Sequence, residues 1–315
     1  MISVIIPAYN NETFLAETLR SLQAQTLSSW EAIVVDDGSD DGTHALAQTF
    51  AAEDSRITAY TQANSGASAA RNFGLTRSNP TFPFVHFLDS DDVIEPDALQ
   101  NLVTLLESHP DAAGSCGGYR DIDEDGNFLP FALPYESFAK RRSVVGSRLE
   151  WVASGAPVTF EQITFHDYLA TGATLLRRCA IEKAGCWDES YSYAEDWDLW
   201  WRILLIAGNL IATEQFVMRY RQHPRNSSKN RNIARNDIRR FRRTRMTYPG
   251  LTAEERRVAR LSYFYACLVR MQYAGSYLGR GRVLPALTEV ARTVTGLARF
   301  CRDVSPLCPR KEALA

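Results

Sequence analysis

Short apolar runs of strand length recur along the first ninety residues, and each stops abruptly in a polar or acidic turn. Ser3–Pro7 (SVIIP) leads into Tyr9 and Asn10, Ala32–Val35 (AIVV) into Asp36 and Asp37, and Phe84–Leu88 (FVHFL) into Asp89, Asp91 and Asp92. Between these runs the apolar spacing becomes helical, with Phe14, Leu15, Leu19 and Leu22 on one face, then His44–Glu53, then Ala67–Leu75. A further strand is expected at Ile57–Tyr60. Strands alternating with helices predict an α/β fold with a doubly wound, mostly parallel sheet flanked by helices. Ligands of such sheets lie beyond the carboxyl ends of the strands, which is where this chain places its carboxylates.

The rest of the chain is less regular. Between Asp111 and about Tyr193 a strand is expected around Ser115–Arg120, followed by an acidic turn (DIDEDGN) and a long loop-like stretch containing KRRS. Glu195–Ile206 has helical spacing, and beyond Met218 the chain reads as Arg-rich and mainly helical, broken at Pro249-Gly250 and at GRGR. A boundary near residue 230 separates an expected domain, 1–229, from a basic helical extension, 230–315. Charge divides the same way: residues 1 to 218 hold 13 Lys and Arg against 31 Asp and Glu, and the remainder holds 22 against 6. An acidic part suits cations and a basic part suits anionic surfaces. The longest apolar stretch, Ile203–Ala212, is too short to span a bilayer. The chain opens in a strand rather than a leader, and its six cysteines form no CxxC pair, so a reducing, cytoplasmic setting is expected.

Three acidic segments carry the candidate chemistry, and each has a structural use as well. Asp36–Thr43 (DDGSDDGT) fits a turn and helix cap, with Gly38 at the sharp bend, or a carboxylate that accepts hydrogen bonds from a base or ribose. In FLDSDD, Phe87–Asp92, three carboxylates in four residues repel one another unless something positive neutralises them, and a hard divalent cation does that. In AEDWDLWWR, Glu195, Asp196 and Asp198 suit the positive end of a helix, and equally a base held rigidly on a first turn.

In combination the segments SVIIPAYN, VVDDGSDDGT, NSGASAARNFGL, FLDSDD and GCWDESYSYAEDWDLWWR, in this order from Ile2 to about Lys229, resemble the family 2 glycosyltransferases of the GT-A fold. The resemblance implies an inverting enzyme that moves a sugar from a nucleoside-diphosphate donor, a UDP-sugar as first candidate, to a saccharide or lipid-linked acceptor in surface polysaccharide or glycan assembly. It implies that Pro7, Ala8 and Tyr9 line the base, that Asp37 hydrogen-bonds it, and that Gly66 and Arg71 close over the nucleoside, Arg71 being equally suited to an ion pair. Asp89 then faces the ribose or metal, Asp91 holds Mn²⁺ or Mg²⁺ with His223 nearby, and Asp196, beside Glu195, takes the acceptor proton. Trp187 offers a stacking face to the acceptor sugar, or packs in the core. Arg219, Arg221 and Arg225 suit phosphate oxygens or a solvated basic face.

Other classes fit less well. A dinucleotide-binding oxidoreductase needs GxGxxG after its first strand, and PAYNNE stands there. A non-catalytic binding protein or scaffold of the same fold has no use for both Asp91 and Asp196. Ile233–Arg245 is basic along a helix, yet nucleic acid is not an expected partner. An anionic membrane surface contacted through Tyr263, Phe264, Tyr265 and Leu268, or a helical appendage making a homodimer, are the two readings of that region.

Overall fold

The computed structural model describes residues 1–129, 155–226, 231–279, 281 and 283–304; the KRRS segment lies outside them. The chain divides into two compact units, Met1–Asp237 and Ile238–Ala315.

The first unit is built on a sheet of nine strands among the described residues: β1 (Ile2–Ala8), β2 (Trp30–Asp36), β3 (Ile57–Thr61), β4 (Phe84–Phe87), β5 (Val93–Ile94), β6 (Gly114–Ile122), β7 (Pro157–Val158), β8 (Thr174–Arg177) and β9 (Leu210–Arg221). Their order is β3-β2-β1-β4-β8-β6-β9-β5, with β7 on β9. The pairs β3–β2, β2–β1, β1–β4 and β6–β9 are parallel, whereas β8 runs antiparallel between β4 and β6. The expected parallel sheet therefore holds for its first half, and the second half is mixed. Nothing in the spacing of the short TLLR strand marks its direction. The register aligns Ala8 with Asp36 and Asp36 with Thr61, so the polar residues after β1, β2 and β4 gather along one edge.

Burial explains the apolar runs. Every residue of β1 is buried, with Val4 and Ile6 in the large cluster that includes Leu15, Leu19 and Leu22 of α1 (Leu15–Gln23). The opposite face packs Ile33 and Val35 on Ala70 of α3 (Ala67–Arg77), after α2 (Thr43–Glu53) has returned the chain. Thr18 of α1 donates its hydroxyl to the carbonyls of Ser90 and Asp92, which pins the turn after β4. Next come α4 (Ala98–Glu107), α5 (Phe160–Phe165), α6 (Arg178–Ala184) and α7 (Glu195–Ile206), whose Trp200 and Trp201 are fully buried. The apolar stretch Ile203–Ala212 is the end of α7, a turn, and the start of β9. That strand carries the chain in the sheet as far as Arg221, past the point where helix was expected.

The second unit holds most of α8 (Arg231–Met246), then α9 (Ala253–Gly279) and α10 (Val283–Val304). Met246, Tyr263 and Cys267 form its core with Leu297, and the Arg242 guanidinium donates to the carbonyl and hydroxyl of Ser262. Tyr263 is thus an interior residue rather than part of an exposed apolar face, and the Leu268 side chain lies outside the described ones. No described helix is long and apolar enough to cross a membrane.

Close approach of α3 to the sheet gives a test. A Cβ on Gly74 would meet Ile5 Cγ2 at 2.5 Å and Val35 Cγ2 at 3.2 Å. Alanine in a helix normally gains about 0.5–1 kcal/mol over glycine, but overpacking a tight core costs about 1–3 kcal/mol. Gly74→Ala is therefore expected to lower the urea midpoint, and an unchanged or raised midpoint contradicts the packing described.

Candidate active site

A cleft of about 790 Å³ opens along the edge where β1, β2 and β4 end. It gathers Pro7, Ala8, Tyr9, Asp37, Gly66, Arg71, Asp89, Asp91, Glu195, Asp196 and His223, all named from sequence. Of the residues proposed for the site, Trp187, Arg219 and Arg221 do not line it.

The side of the cleft at the ends of β1 and β2 is shaped by Asp37. Its Oδ1 accepts from Gln62 Nε2 at 2.7 Å and from the Ser65 N–H at 2.9 Å, and its Oδ2 accepts from the Gly66 N–H at 2.8 Å. The carboxylate thereby fixes the loop before α3, where Gly66 takes φ +90° with open space around its Cα. Positive φ, not crowding, is what requires glycine there. Asp36 serves the same turn, accepting from Thr61 and Ser39. Tyr9 leaves half its surface exposed over this side.

The three carboxylates after β4 are separated by their partners. Asp89 accepts from Arg71 Nη2 at 2.6 Å. Asp92 is buried and accepts from the Arg221 N–H at 2.9 Å; burial, then Asp91 and Asp89, push its pKa well above the usual carboxylate range. Asp91 faces His223, with Oδ2 2.8 Å from Nε2, while the buried Nδ1 of that imidazole has no hydrogen-bond partner among the described residues. The mutual repulsion read from the sequence is thus relieved at one end by Arg71, which pairs with Asp89, while at the other burial disfavours charge on Asp92. Among the described residues no three His, Cys, Asp or Glu side chains converge as metal ligands. A carboxylate oxygen and an imidazole nitrogen side by side still suit Mn²⁺ or Mg²⁺ when substrate phosphates and water complete the shell.

At the opposite wall, α7 begins after Ala194, which holds φ +67°. Glu195 Oε1 lies 3.4 Å from Arg71 Nη1. Burial works against the charge of Arg71, but Asp89 and Glu195 outweigh it and raise its pKa. Asp196 makes no ion pair among the described residues, although Arg71 acts to lower its pKa; burial, and next the neighbouring Glu195, prevail and push it up to about 7. Asp198 is a different case, fully buried and paired with Arg202 at 2.6 Å, hence structural.

A family model, Glycosyl transferase family 2, matches residues 3–165. The chain belongs to this family. An uncharacterized glycosyltransferase of Rickettsia typhi is 28% identical over 209 residues, covering 66% of this chain and 59% of that protein, so the chain spans less than two thirds of that relative. Two solved structures share the fold. Staphylococcus aureus TarS 1-349 in complex with UDP-GlcNAc is 17% identical, with TM-score 0.65 over 96% of this chain and 81% of that one. The mannosyltransferase PcManGT of Pyrobaculum calidifontis in complex with GDP-Man and Mn²⁺ is 16% identical, with TM-score 0.59 over 96% and 88%.

Several expectations for this family 2 chain need correction. Trp187 is only 3% exposed, with the Arg71 guanidinium 4.4 Å over its ring and Phe87 and Trp200 against it, so it has no face left for a sugar. Arg219 is engaged by Glu95 in two hydrogen bonds. Arg221 is fully buried, donating to Glu17 and to the carbonyls of Asp91, Asp123 and Glu124. Only Arg225 of the three lines the cleft. The aromatic wall comes instead from Tyr119, Tyr168, Tyr193 and Tyr220, which ordinary strand and loop patterns conceal. Asp237 also went unseen: its Oδ2 accepts from the N–H groups of Ser192 and Tyr193 at 2.9 and 2.8 Å, anchoring the loop that enters α7. An aspartate in an Arg-rich helix reads as a surface ion-pair partner.

Two outcomes follow from this geometry. A carboxyl whose folded pKa is raised above its unfolded value of 3.8 to about 7 lowers stability progressively as pH rises through that window. Asp196→Asn should therefore match the parent melting temperature near pH 4 and exceed it at pH 8, by roughly 2–4 °C for each kcal/mol relieved. Equal melting curves at both pH values would refute the desolvated carboxylate. Asp237→Ala should speed hydrogen exchange at the Ser192 and Tyr193 amides, whereas Asp237→Asn, which keeps an acceptor oxygen, should not.

Proposed function

We propose that the chain is an inverting glycosyltransferase that moves a sugar from a nucleoside-diphosphate sugar, a UDP-sugar first, to an acceptor hydroxyl. One observation carries this reading: the Asp91–His223 pair and the raised carboxyl of Asp196 face the same cleft. The nucleotide complexes of the two fold relatives support a diphosphate donor, and the Mn²⁺ named with one of them supports a divalent ion. Asp91 and His223 are the residues that hold the ion; when bound, it stabilises negative charge developing on the diphosphate, so no acid is needed to protonate the leaving group.

The chain's own groups do the rest. Tyr9 and the Asp37-fixed loop receive the base and ribose. Asp196 accepts the acceptor proton as the acceptor oxygen bonds to the anomeric carbon from the face opposite the departing diphosphate, which inverts configuration. A base with pKa about 7 matches this task, since it is ionised at neutral pH and still basic. Glu195 is the weaker candidate because Arg71 already neutralises it. The tyrosine wall on the β6 and β9 side takes the saccharide part of the acceptor, free or lipid-linked, in the assembly of a surface polysaccharide or glycan.

Nucleotide release with a panel of donors and Mn²⁺ tests the class, and the pH profile tests the base. In acceptor-saturated turnover the rate should climb about tenfold per pH unit below 7 and level off above it. Asp196→Asn should retain donor binding by calorimetry and lose transfer by about 10²–10⁴-fold, while Asp91→Asn should weaken metal-dependent donor binding itself. Transfer by Asp196→Asn at the parent rate would rule out the assignment.

A further inference from the structure

The α9–α10 hairpin exposes an apolar stripe on each helix. On α9, Leu261, Met271 and Leu278 are 43%, 44% and 53% exposed; on α10, Leu284, Leu287 and Val294 are 79%, 57% and 61% exposed. At 100° per residue each set falls within about 100° of its helix surface. The buried side of α9, with Ala259 and Ser262, points the other way, toward α8, which Arg242 and Met246 attach to it. Both stripes turn in the same rotational sense from the seam where the Tyr263 hydroxyl donates to the Gly296 carbonyl. Since the helices are antiparallel, equal rotation brings both stripes to one side of the hairpin. The result is a single two-helix apolar face.

We infer that this face is covered by the same face of a second copy of the chain. Three observations select that occupant. The spacings of seven residues from Met271 to Leu278 and from Leu287 to Val294 are those of helices packing on helices. The stripe from Leu261 to Leu278 runs about 26 Å and two helices span about 20 Å. Pairing two copies thus buries roughly 1,000 Å² in total, enough for a specific dimer. Finally, between the first and last stripe residues the charged positions of the two helices, 270, 289 and 292, fall outside the stripe's arc at 100° per residue, and the α9 stripe ends at Arg260 and at the ion pair of Arg257 with Glu254, 2.6 Å apart. Arg242 and Arg245 of α8 are buried rather than rimming this face, and Arg242 meets α9 at Ser262, on the side away from the stripe, whereas a bilayer takes basic and apolar groups on one surface. A self-complementary face closes as a two-fold dimer, a four-helix arrangement of two hairpins.

Sedimentation velocity and light scattering on the full chain test this independently of any sugar transfer. The parent should run at twice the chain mass at micromolar concentration and dissociate on dilution. Met271→Glu with Leu287→Glu places four charges in the two-fold interface and should weaken association by on the order of 100-fold or more, with unchanged far-UV circular dichroism. If that variant fails to fold, Met271→Gln with Leu287→Gln is read in its place. A parent that stays monomeric at every concentration overturns the proposal, as does an undiminished dimer in the folded variant. So does a monomeric parent that binds phosphatidylserine vesicles through these residues, which would make the occupant a bilayer.

Discussion

The Arg71 guanidinium is the constraint around which the cleft is arranged. It is buried, it reaches Asp89 after β4 with one nitrogen and Glu195 at the head of α7 with another, and it lies on the ring of Trp187. A cation in that place is tolerated because two carboxylates and an aromatic face replace its water. Removing it would strand two partly buried carboxylates near Asp196. One side chain from α3 therefore links the two acidic segments and pairs with Glu195. Asp196 makes no ion pair among the described residues, and burial raises its pKa.

The same logic orders the segment after β4. Three clustered carboxylates cannot all stay charged without partners. Arg71 takes Asp89, burial disfavours charge on Asp92, and Asp91 is left to face His223. The cluster reads as one cation site in sequence, but in space it is three residues with three duties. Asp92 accepts from the backbone of β9 and so ties the strand bearing His223 to the turn bearing Asp91.

How much of this was legible from sequence depended on whether a feature was local. The strands β1 to β4, their helices and the acidic strand ends show in the spacing of Val4, Ile6, Leu15 and Leu19 because burial of a periodic face is a local pattern. The antiparallel insertion of β8 and the length of β9 are tertiary choices with no local mark. The same holds within the site. Tyr9, Asp37, Asp91 and Asp196 sit in motifs, whereas Asp237 acts through backbone groups more than forty residues away. Trp187 fits both a sugar platform and a core ring by composition. Only the packing of Arg71, Phe87 and Trp200 around it decides between them.

The sheet order finally explains how one cleft comes to have two unlike walls. β4 stands near the middle, with β1, β2 and β3 on one side and β8, β6 and β9 on the other. The first side brings the Asp37 loop and Tyr9, and the second brings Tyr119 and Tyr220. The turn after β4, carrying Asp91, falls at the division between them. A group transferred from a ligand on one side to a ligand on the other must pass this turn. The antiparallel β8 is what makes the arrangement available: it joins the parallel β3-β2-β1-β4 half to a β6–β9 half without lengthening the parallel sheet. The motifs place chemistry at the strand ends, and this unmarked strand supplies the second wall.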